Sequence, residues 1–143
     1  MGYTHYWTKE RDITDPEWEQ ITEIARKVIK TARSKYLISV AWESDEIGRP
    51  PQIDSEVIRF NGIDEDGHET FYLSRKASEF DFCKTARKDY DMIVVAILQA
   101  CAVYCTGFSW RSDGDREDHA DGVALYNTAT GANWDYSNVS SRD

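Results

Sequence analysis

A basic block lies directly before a predicted helix, where the chemistry of anion binding is available. The block is Lys-Thr-Ala-Arg-Lys at residues 84–88, and Asp89 is a suitable N-cap for the helix that follows. The free N–H groups and the dipole of a helix N-terminus favour an anion, so Lys84, Thr85 and Arg87 are predicted to hold a phosphate group. The alternative is that these cations only balance the surplus of acids. The absence of a glycine-rich loop excludes a Walker motif.

Aromatic side chains near the N-terminus provide flat surfaces on which a nucleobase can stack. Tyr3, His5 and Trp7 alternate along a predicted strand, and His5 adds an imidazole for hydrogen bonding. Asn61, at the end of another predicted strand, has an amide that can read a base edge or a ribose. With the basic block, these residues predict a nucleotide-sized pocket. The alternatives are an edge strand whose aromatic side chains cover the core, and an ordinary Asn-Gly turn.

Charge and composition restrict the class of partner. The chain has 143 residues, 41% of them hydrophobic, and a formal net charge of -9. This length and apolar content predict one folded domain. The negative charge argues against direct binding of nucleic acid or of an anionic membrane, because both select clustered cations. It is compatible with a small anionic nucleotide-like ligand held by a few local cations, or with a surface that captures a basic protein.

Neither a metal nor a cofactor is predicted. The three histidines lack metal-ligand spacing among themselves. The acids at residues 113–121 are more typical of a solvated helix start than of a magnesium or manganese site, and residues 64–67 match only half of a calcium loop. No Ser-His-Asp or Cys-His order indicates a nucleophile. Cys101 and Cys105 share a helix face and are predicted to be core thiols.

Cysteine usage and the N-terminal sequence predict a cytoplasmic location. Three cysteines, an odd number without a regular framework, indicate a reducing compartment rather than a disulfide scaffold. The N-terminus has no apolar signal core. The longest apolar stretch, Met92 to Cys105, is too short to span a bilayer, so no membrane association is expected.

The spacing of apolar residues predicts two main helices. Thr14 and Glu17 have the spacing of a capping box, and Pro16 suits the first turn, so a helix is predicted from Asp15 to Lys35 with one apolar stripe. A second helix, predicted from Tyr90 to Thr106, is apolar nearly all round. Such a helix must be covered on most sides, and we expect it to form the buried centre of the domain.

Alternating segments predict one antiparallel sheet of four to six strands, and with the helices an α+β fold. The predicted strands are Tyr3 to Thr8, Tyr36 to Trp42, Glu56 to Gly62 in a hairpin with Glu69 to Leu73, Phe80 to Lys84, and Phe108 to Arg111. Residues 43–54 are predicted to form a loop. A weaker acidic helix is predicted from Asp115 to Thr130, in which Gly122 is unfavourable by up to about 1 kcal/mol relative to alanine.

Residues 1–131 are predicted to form a single α+β domain, followed by a polar tail at 132–143. Trp134 and Tyr136 are the two side chains that can attach this tail to the domain. No internal repeat or low-complexity tract is present. Formation of a homo-oligomer is left open.

Four motifs occur in order along most of the chain. They are Gly-Tyr-Thr-His-Tyr at 2–6, Phe-Asn-Gly at 60–62, Glu-Thr-Phe at 69–71, and Phe-Cys-Lys-Thr-Ala-Arg-Lys at 82–88 followed by Tyr90 and Asp91. In this combination the chain resembles a family of small phage and bacterial proteins of unassigned function. Asp89 stands where the family would have a proline, and Arg111 where it would have a serine. The resemblance implies a phage setting, and thus the host cytoplasm, and a shared architecture, but no catalytic residues.

These observations lead to three functional hypotheses. The first is non-enzymatic binding of a small nucleotide-derived ligand, in the form of a phage sponge that sequesters a host immune signalling nucleotide. In it, Lys84, Thr85 and Arg87 hold phosphate, while the aromatic residues and Asn61 contact base or ribose. The second is a phosphodiesterase-like hydrolase with His5 or another histidine, His68, as acid or base. The third is an acidic inhibitor that occupies a basic, nucleic-acid-binding protein.

Overall fold

Three helices and two antiparallel sheets make up the computed structural model, which describes residues 3–134. The helices are α1 (Asp15–Tyr36), α2 (Asp91–Tyr104) and α3 (Ala120–Thr130). The seven strands within the described residues are β1 (Thr4–Lys9), β2 (Val40–Ala41), β3 (Gln52–Ile53), β4 (Val57–Gly62), β5 (Phe71–Ser74), β6 (Ser78–Lys84) and β7 (Phe108–Ser112). The predicted α+β class is confirmed. The strands form two sheets rather than one because β6 leaves the β4–β5 hairpin and pairs with β1.

Helix α1 begins and ends where local sequence signals place it. The Thr14 hydroxyl accepts from the backbone N–H of Glu17, and the Glu17 carboxylate accepts from the backbone N–H of Thr14, so the predicted capping box is present. The helix ends at Tyr36, and Leu37 follows in the left-handed conformation with φ 61°. This end takes up the first part of the strand predicted from Tyr36, which is reduced to Val40–Ala41.

Helix α2 is the buried centre of the fold. All ten residues from Met92 to Cys101 are buried, and α2 packs against α1, α3 and β7. The predicted N-cap at Asp89 is wrong, because the helix starts at Asp91 with Tyr90 in the cap position and without a side-chain cap. A turn precedes the helix, in which the backbone N–H of Asp91 donates to the carbonyl of Lys88.

Strand β1 lies in the middle of its sheet, not at an edge. It pairs antiparallel with β6 on one side and with β7 on the other, and Trp7 stands opposite Asp81 and Trp110. The edge-strand alternative considered for the N-terminal aromatic residues is therefore wrong. Because β1 is central, its inward side chains are covered from both sides, and His5 and Trp7 are almost completely buried.

The second sheet is built around the predicted hairpin. Strand β4 pairs with β5 through the register Val57 to Ser74 and Phe60 to Phe71, which confirms the hairpin. Strand β4 also pairs with β2 and β3. The predicted loop at 43–54 thus contains the short strand β3 at its end.

Helix α3 starts five residues later than predicted and packs unusually close to α2. A 3-10 turn at Glu117–His119 occupies the predicted first turn. A Cβ atom added at Gly122 would lie 2.5 Å from Cγ1 of Val95 and 2.7 Å from its Cβ. Gly122 therefore permits a close contact between the two helices, which outweighs its poor helix propensity.

The beginning of the predicted tail is attached to the domain by Trp134. This side chain is 7% exposed and belongs to the core. Its backbone N–H donates to the Asn127 side chain, whose amide donates back to the Trp134 carbonyl. Tyr136 lies outside the described residues. No helix within residues 3–134 has the length and apolar content needed to cross a membrane.

We expect Gly122→Ala to lower the free energy of unfolding by about 1–3 kcal/mol, because the added methyl group would overlap the stiff, fully buried Val95. Helix propensity alone would predict a gain of about 1 kcal/mol. Urea unfolding measures the difference. Gly48→Ala is the control, since its added Cβ meets nothing within 4 Å. A variant at 122 more stable than the wild type would contradict the close contact.

Candidate functional site

A pocket of about 290 Å³ lies where the N-terminus of α2 meets the start of β1 and the turn before α3. Most of its lining is charged. It holds five carboxylates, two cations and one aromatic ring, from Asp89, Asp91, Glu117, Asp118, Asp121, Arg87, Lys88 and Tyr3. The surplus of acids makes this pocket favourable for cations and for hydrogen-bond donors.

The chain after β6 is folded tightly over the start of β1, and this brings the site together. The backbone N–H groups of Thr85 and Ala86 both donate to the carbonyl of Tyr3, at 3.1 and 3.4 Å. Ala86 and Arg87 are consecutive residues in the left-handed region, with φ 53° and 60°. Each costs about 1 kcal/mol or more in a residue with a Cβ. The two left-handed residues turn the chain, and this turn places Arg87 at the pocket.

The Asp91 carboxylate is fixed at the pocket by two buried donors. Its Oδ1 atom accepts from the Thr85 hydroxyl and from Nε2 of His5, at 2.5 and 2.6 Å. Thr85 and His5 are completely buried, whereas the Asp91 side chain is 14% exposed. Both bonds reach Oδ1, and the Asp91 side chain lines the pocket. Charge-assisted hydrogen bonds of this kind hold an acceptor rigidly in place.

Unpartnered polar atoms collect behind the same pocket. Among the residues described, three buried ring nitrogens of His5 and His119 have no hydrogen-bond partner, while the Tyr3 hydroxyl, buried in the same region, bonds to the Ser112 side chain. The His119 ring lies 6.0 Å from the His5 ring and 5.3 Å from that of Trp110, between centroids. Such groups cost about 1–3 kcal/mol each when left unpaired. Because several such atoms lie close together here, the interior behind the pocket is polar in a way that the fold alone does not require.

Burial changes the protonation chemistry of this interior. It lowers the pKa of His119 to about 4, with the neighbouring His5 as the next cause, so His119 is neutral at pH 7. Burial also raises the pKa of the Tyr3 hydroxyl, which stays protonated. The site therefore offers a neutral imidazole and a phenol behind an anionic carboxylate, Asp91.

Arg87 lies between an aromatic ring and a carboxylate at the rim of the pocket. Its guanidinium carbon is 4.1 Å from the centroid of the Tyr3 ring, and Nη1 is 2.5 Å from Oδ1 of Asp118. A backbone hydrogen bond from Asp115, followed by the Arg87 side chain, lowers the pKa of Asp118, which remains ionised at neutral pH. The Arg87 side chain itself is 59% exposed.

The structure brings together four of the seven residues predicted to bind a ligand: Tyr3, His5, Thr85 and Arg87. Tyr3 and Arg87 line the pocket, while His5 and Thr85 act from behind through Asp91. Since the Thr85 hydroxyl donates to Asp91 and Arg87 pairs with Asp118, the predicted phosphate cradle is not assembled. Lys84 is exposed at the end of β6 and does not line the pocket.

Trp7 and Asn61 lie elsewhere and have structural roles. Trp7 is 1% exposed and packs on Phe71, with ring centroids 5.4 Å apart. The Asn61 amide donates to the His68 carbonyl and the Thr70 hydroxyl, and its oxygen accepts from the backbone N–H of His68. This side chain closes the β4–β5 turn and has no group left for a base or ribose.

Asp91, Asp118 and His119 are the site residues that sequence reasoning missed. Asp91 appeared only in the motif that carries the resemblance, Asp118 only among the acids at residues 113–121, and His119 as one histidine without a spaced partner. One signal was available, since Tyr3 and His5 share a strand face and therefore approach the same neighbours. Their partners come from residues 91 and 119, far away along the chain, and only the packing of α2 and α3 joins them.

The acids before α3 are used as caps and as pocket lining. Oδ1 of Asp115 accepts from the backbone N–H groups of Glu117 and Asp118, as expected of a solvated turn. Within residues 3–134, no group of three or more His, Cys, Asp or Glu side chains is arranged to hold a metal ion.

Comparison with protein-family models, with curated proteins and with solved structures finds no match for this chain. The resemblance to small phage and bacterial proteins therefore stays a prediction. The function is therefore inferred from the geometry of the pocket.

We expect the wild type to lose about 2 kcal/mol of stability through His119 as the pH falls from about 6.5 to about 4. The folded state holds the imidazole neutral, so protons bind more readily to the unfolded chain and favour unfolding across this range. Comparing denaturant unfolding of the wild type and His119→Leu at pH 7 and pH 4.5 isolates this contribution from that of the carboxylates. An equal pH dependence in both proteins would contradict it.

Proposed function

We propose that this protein binds a small nucleotide-derived ligand, without converting it, in the pocket at the N-terminus of α2. The observation that carries the proposal is the buried polar interior behind this pocket, where ring nitrogens of His5 and His119 have no hydrogen-bond partner beside the fixed Asp91 carboxylate. Residues of this kind are retained at binding sites at a cost to stability.

The size of the pocket restricts the ligand to about one nucleoside unit. Small-molecule sites commonly enclose about 300–1,000 Å³, and this pocket, at about 290 Å³, lies at the lower end. A cyclic dinucleotide would exceed it, whereas one base with its ribose suits it. The Tyr3 ring supplies an aromatic wall beside which a base can lie.

The lining has hydrogen-bonding groups suited to ribose and base rather than to several phosphates. The Asp91 carboxylate, which lines the pocket, would accept from a ribose diol or an exocyclic amino group, as carboxylates do in other nucleotide sites. Arg87 and Lys88 at the rim are the two cations for a phosphate. Five carboxylates in the same lining oppose further negative charge, so the ligand carries at most one phosphate.

Binding without conversion is favoured by what the lining contains. The described residues that line the pocket include no Ser, Thr, Cys or His, and so none of the groups that act in Ser-His or Cys-His arrangements. His5 is completely buried behind Asp91. In the phage setting that the resemblance implies, such a binder would act as a sponge that lowers the free concentration of a host immune signalling nucleotide.

A second candidate function is hydrolysis of such a nucleotide. It is favoured by the 2.6 Å contact in which Nε2–H of His5 orients the Asp91 carboxylate, which would act as the general base that takes a proton from an attacking water. Candidate nucleotides incubated with the protein, with and without EDTA, separate the two functions. Products in either mixture would support hydrolysis, and unchanged nucleotides would exclude it for those tested.

We expect Asp91→Asn to weaken the binding of adenosine and AMP at least about tenfold, because it removes a charge that lines the pocket. Arg87→Ala should weaken the binding of AMP but not of adenosine, because Arg87 is one of the two cations for a phosphate. Titration calorimetry with adenosine and AMP measures the affinity, with ADP-ribose as a larger diphosphate that should bind more weakly, and mass spectrometry of the recovered ligand shows whether it is unchanged. Lys84→Ala should bind like the wild type because Lys84 lies outside the pocket.

Lys30→Ala, on the exposed face of α1, is the control for a lost surface cation. Thermal melts confirm that each variant is folded. Loss of binding in Lys84→Ala but not in Asp91→Asn would move the site to the basic block and contradict the proposed pocket.

A further inference from the structure

We infer that the ligand is a nucleoside whose base carries a positive charge, held by the Tyr3 ring and the acidic wall of the pocket. This rests on the proposed function and specifies the chemical class of its ligand. Three observations lead to it: the charge of the lining, the buried face of Tyr3, and the place that the Arg87 guanidinium occupies.

The charge of the pocket lining favours a positively charged ligand. Five carboxylates face two cations in the pocket, and Asp118 is held ionised by its own hydrogen bonds. A neutral ligand would leave these carboxylates uncompensated as it displaced water from them, whereas a cationic base offsets them. A ligand with several phosphates would add repulsion.

Tyr3 is the second and independent observation. It is 3% exposed and lines the pocket, and its hydroxyl is buried beside the Ser112 side chain. A guanidinium already lies 4.1 Å from its ring centroid. The Tyr3 ring therefore already has a cation, the Arg87 guanidinium, over its face. Proteins recognise organic cations by the same cation–π arrangement.

The Arg87 guanidinium occupies the place that the ligand's cation would take. It contacts both the Tyr3 ring and the Asp118 carboxylate, which are the two groups that a cationic base requires. The Arg87 side chain is 59% exposed, and its ion pair with Asp118 lies at the surface. Because an exposed ion pair contributes little to stability, the guanidinium can leave this position for solvent at little cost. The displaced guanidinium, with Lys88, is then placed to contact a single phosphate at the rim.

A matched pair of probes tests the charge alone. Nicotinamide riboside carries a pyridinium cation, and its reduced dihydro form has the same ribose and amide without the charge. Titration calorimetry on the full chain should show the cationic form binding at least about tenfold more tightly, with a difference that narrows as salt is raised. Equal affinity, or tighter binding of the reduced form, would overturn the inference.

Substitutions at Tyr3 and Asp118 test which side chains produce the preference for the cationic form. Tyr3→Phe should keep the preference for the cationic form, Tyr3→Leu should lose it, and Asp118→Asn should reduce it several-fold. Thermal melts exclude unfolding, and Tyr3→Phe with Asp118→Asn suffices if Tyr3→Leu does not fold. A preference unchanged in Asp118→Asn would overturn the assignment of the acidic wall.

The outcome also separates this inference from the proposed function. If AMP or adenosine binds and neither riboside does, the cationic base is wrong and the nucleotide pocket stands. If none of these nucleosides and nucleotides binds to the folded protein, both proposals fail.

Discussion

The hydrogen bonds that converge on Asp91 are the interaction on which the arrangement of this protein depends. Thr85 and His5 come from two different strands or their ends, and Asp91 opens the central helix. One carboxylate thus joins the first sheet, the strained turn after β6 and α2. Removing it would leave two completely buried polar groups without their acceptor, which costs more than the bonds themselves contribute.

The same carboxylate also lines the pocket, so one side chain belongs both to the network that joins the fold and to the candidate site. Around it the chain accepts several unfavourable features: two left-handed residues with side chains, a neutral buried histidine, and imidazole nitrogens without partners. Elsewhere in the described core, conventional apolar packing around α2 is dominant, with Gly122 allowing α3 to approach. This contrast between a well-packed centre and a strained polar corner distinguishes the candidate site from the rest of the fold.

The negative charge of the chain has a local as well as a global effect. At −9, the chain as a whole carries the same sign of charge as a nucleic-acid backbone, and the pocket concentrates five of its acids at one helix end. A helix N-terminus alone would favour an anion. Here the neighbouring carboxylates outweigh the helix dipole, because whole charges at short distance exceed the partial charge of the peptide groups.

Elements with strong local signals could be predicted from the sequence by itself. The capping box and apolar stripe determined α1, the apolar run determined that α2 is buried, and alternation with a turn determined the β4–β5 hairpin. The prediction of Asp89 as a cap was wrong, and two predicted ligand contacts, Trp7 and Asn61, lie away from the pocket. All three residues were judged by residue type alone. Only the tertiary structure decided that β1 is central, that Asn61 closes a turn, and that Asp91, Asp118 and His119 meet Tyr3 and His5. Local periodicity is set by neighbours along the chain, whereas a site assembled from residues up to about a hundred positions apart depends on how the elements pack.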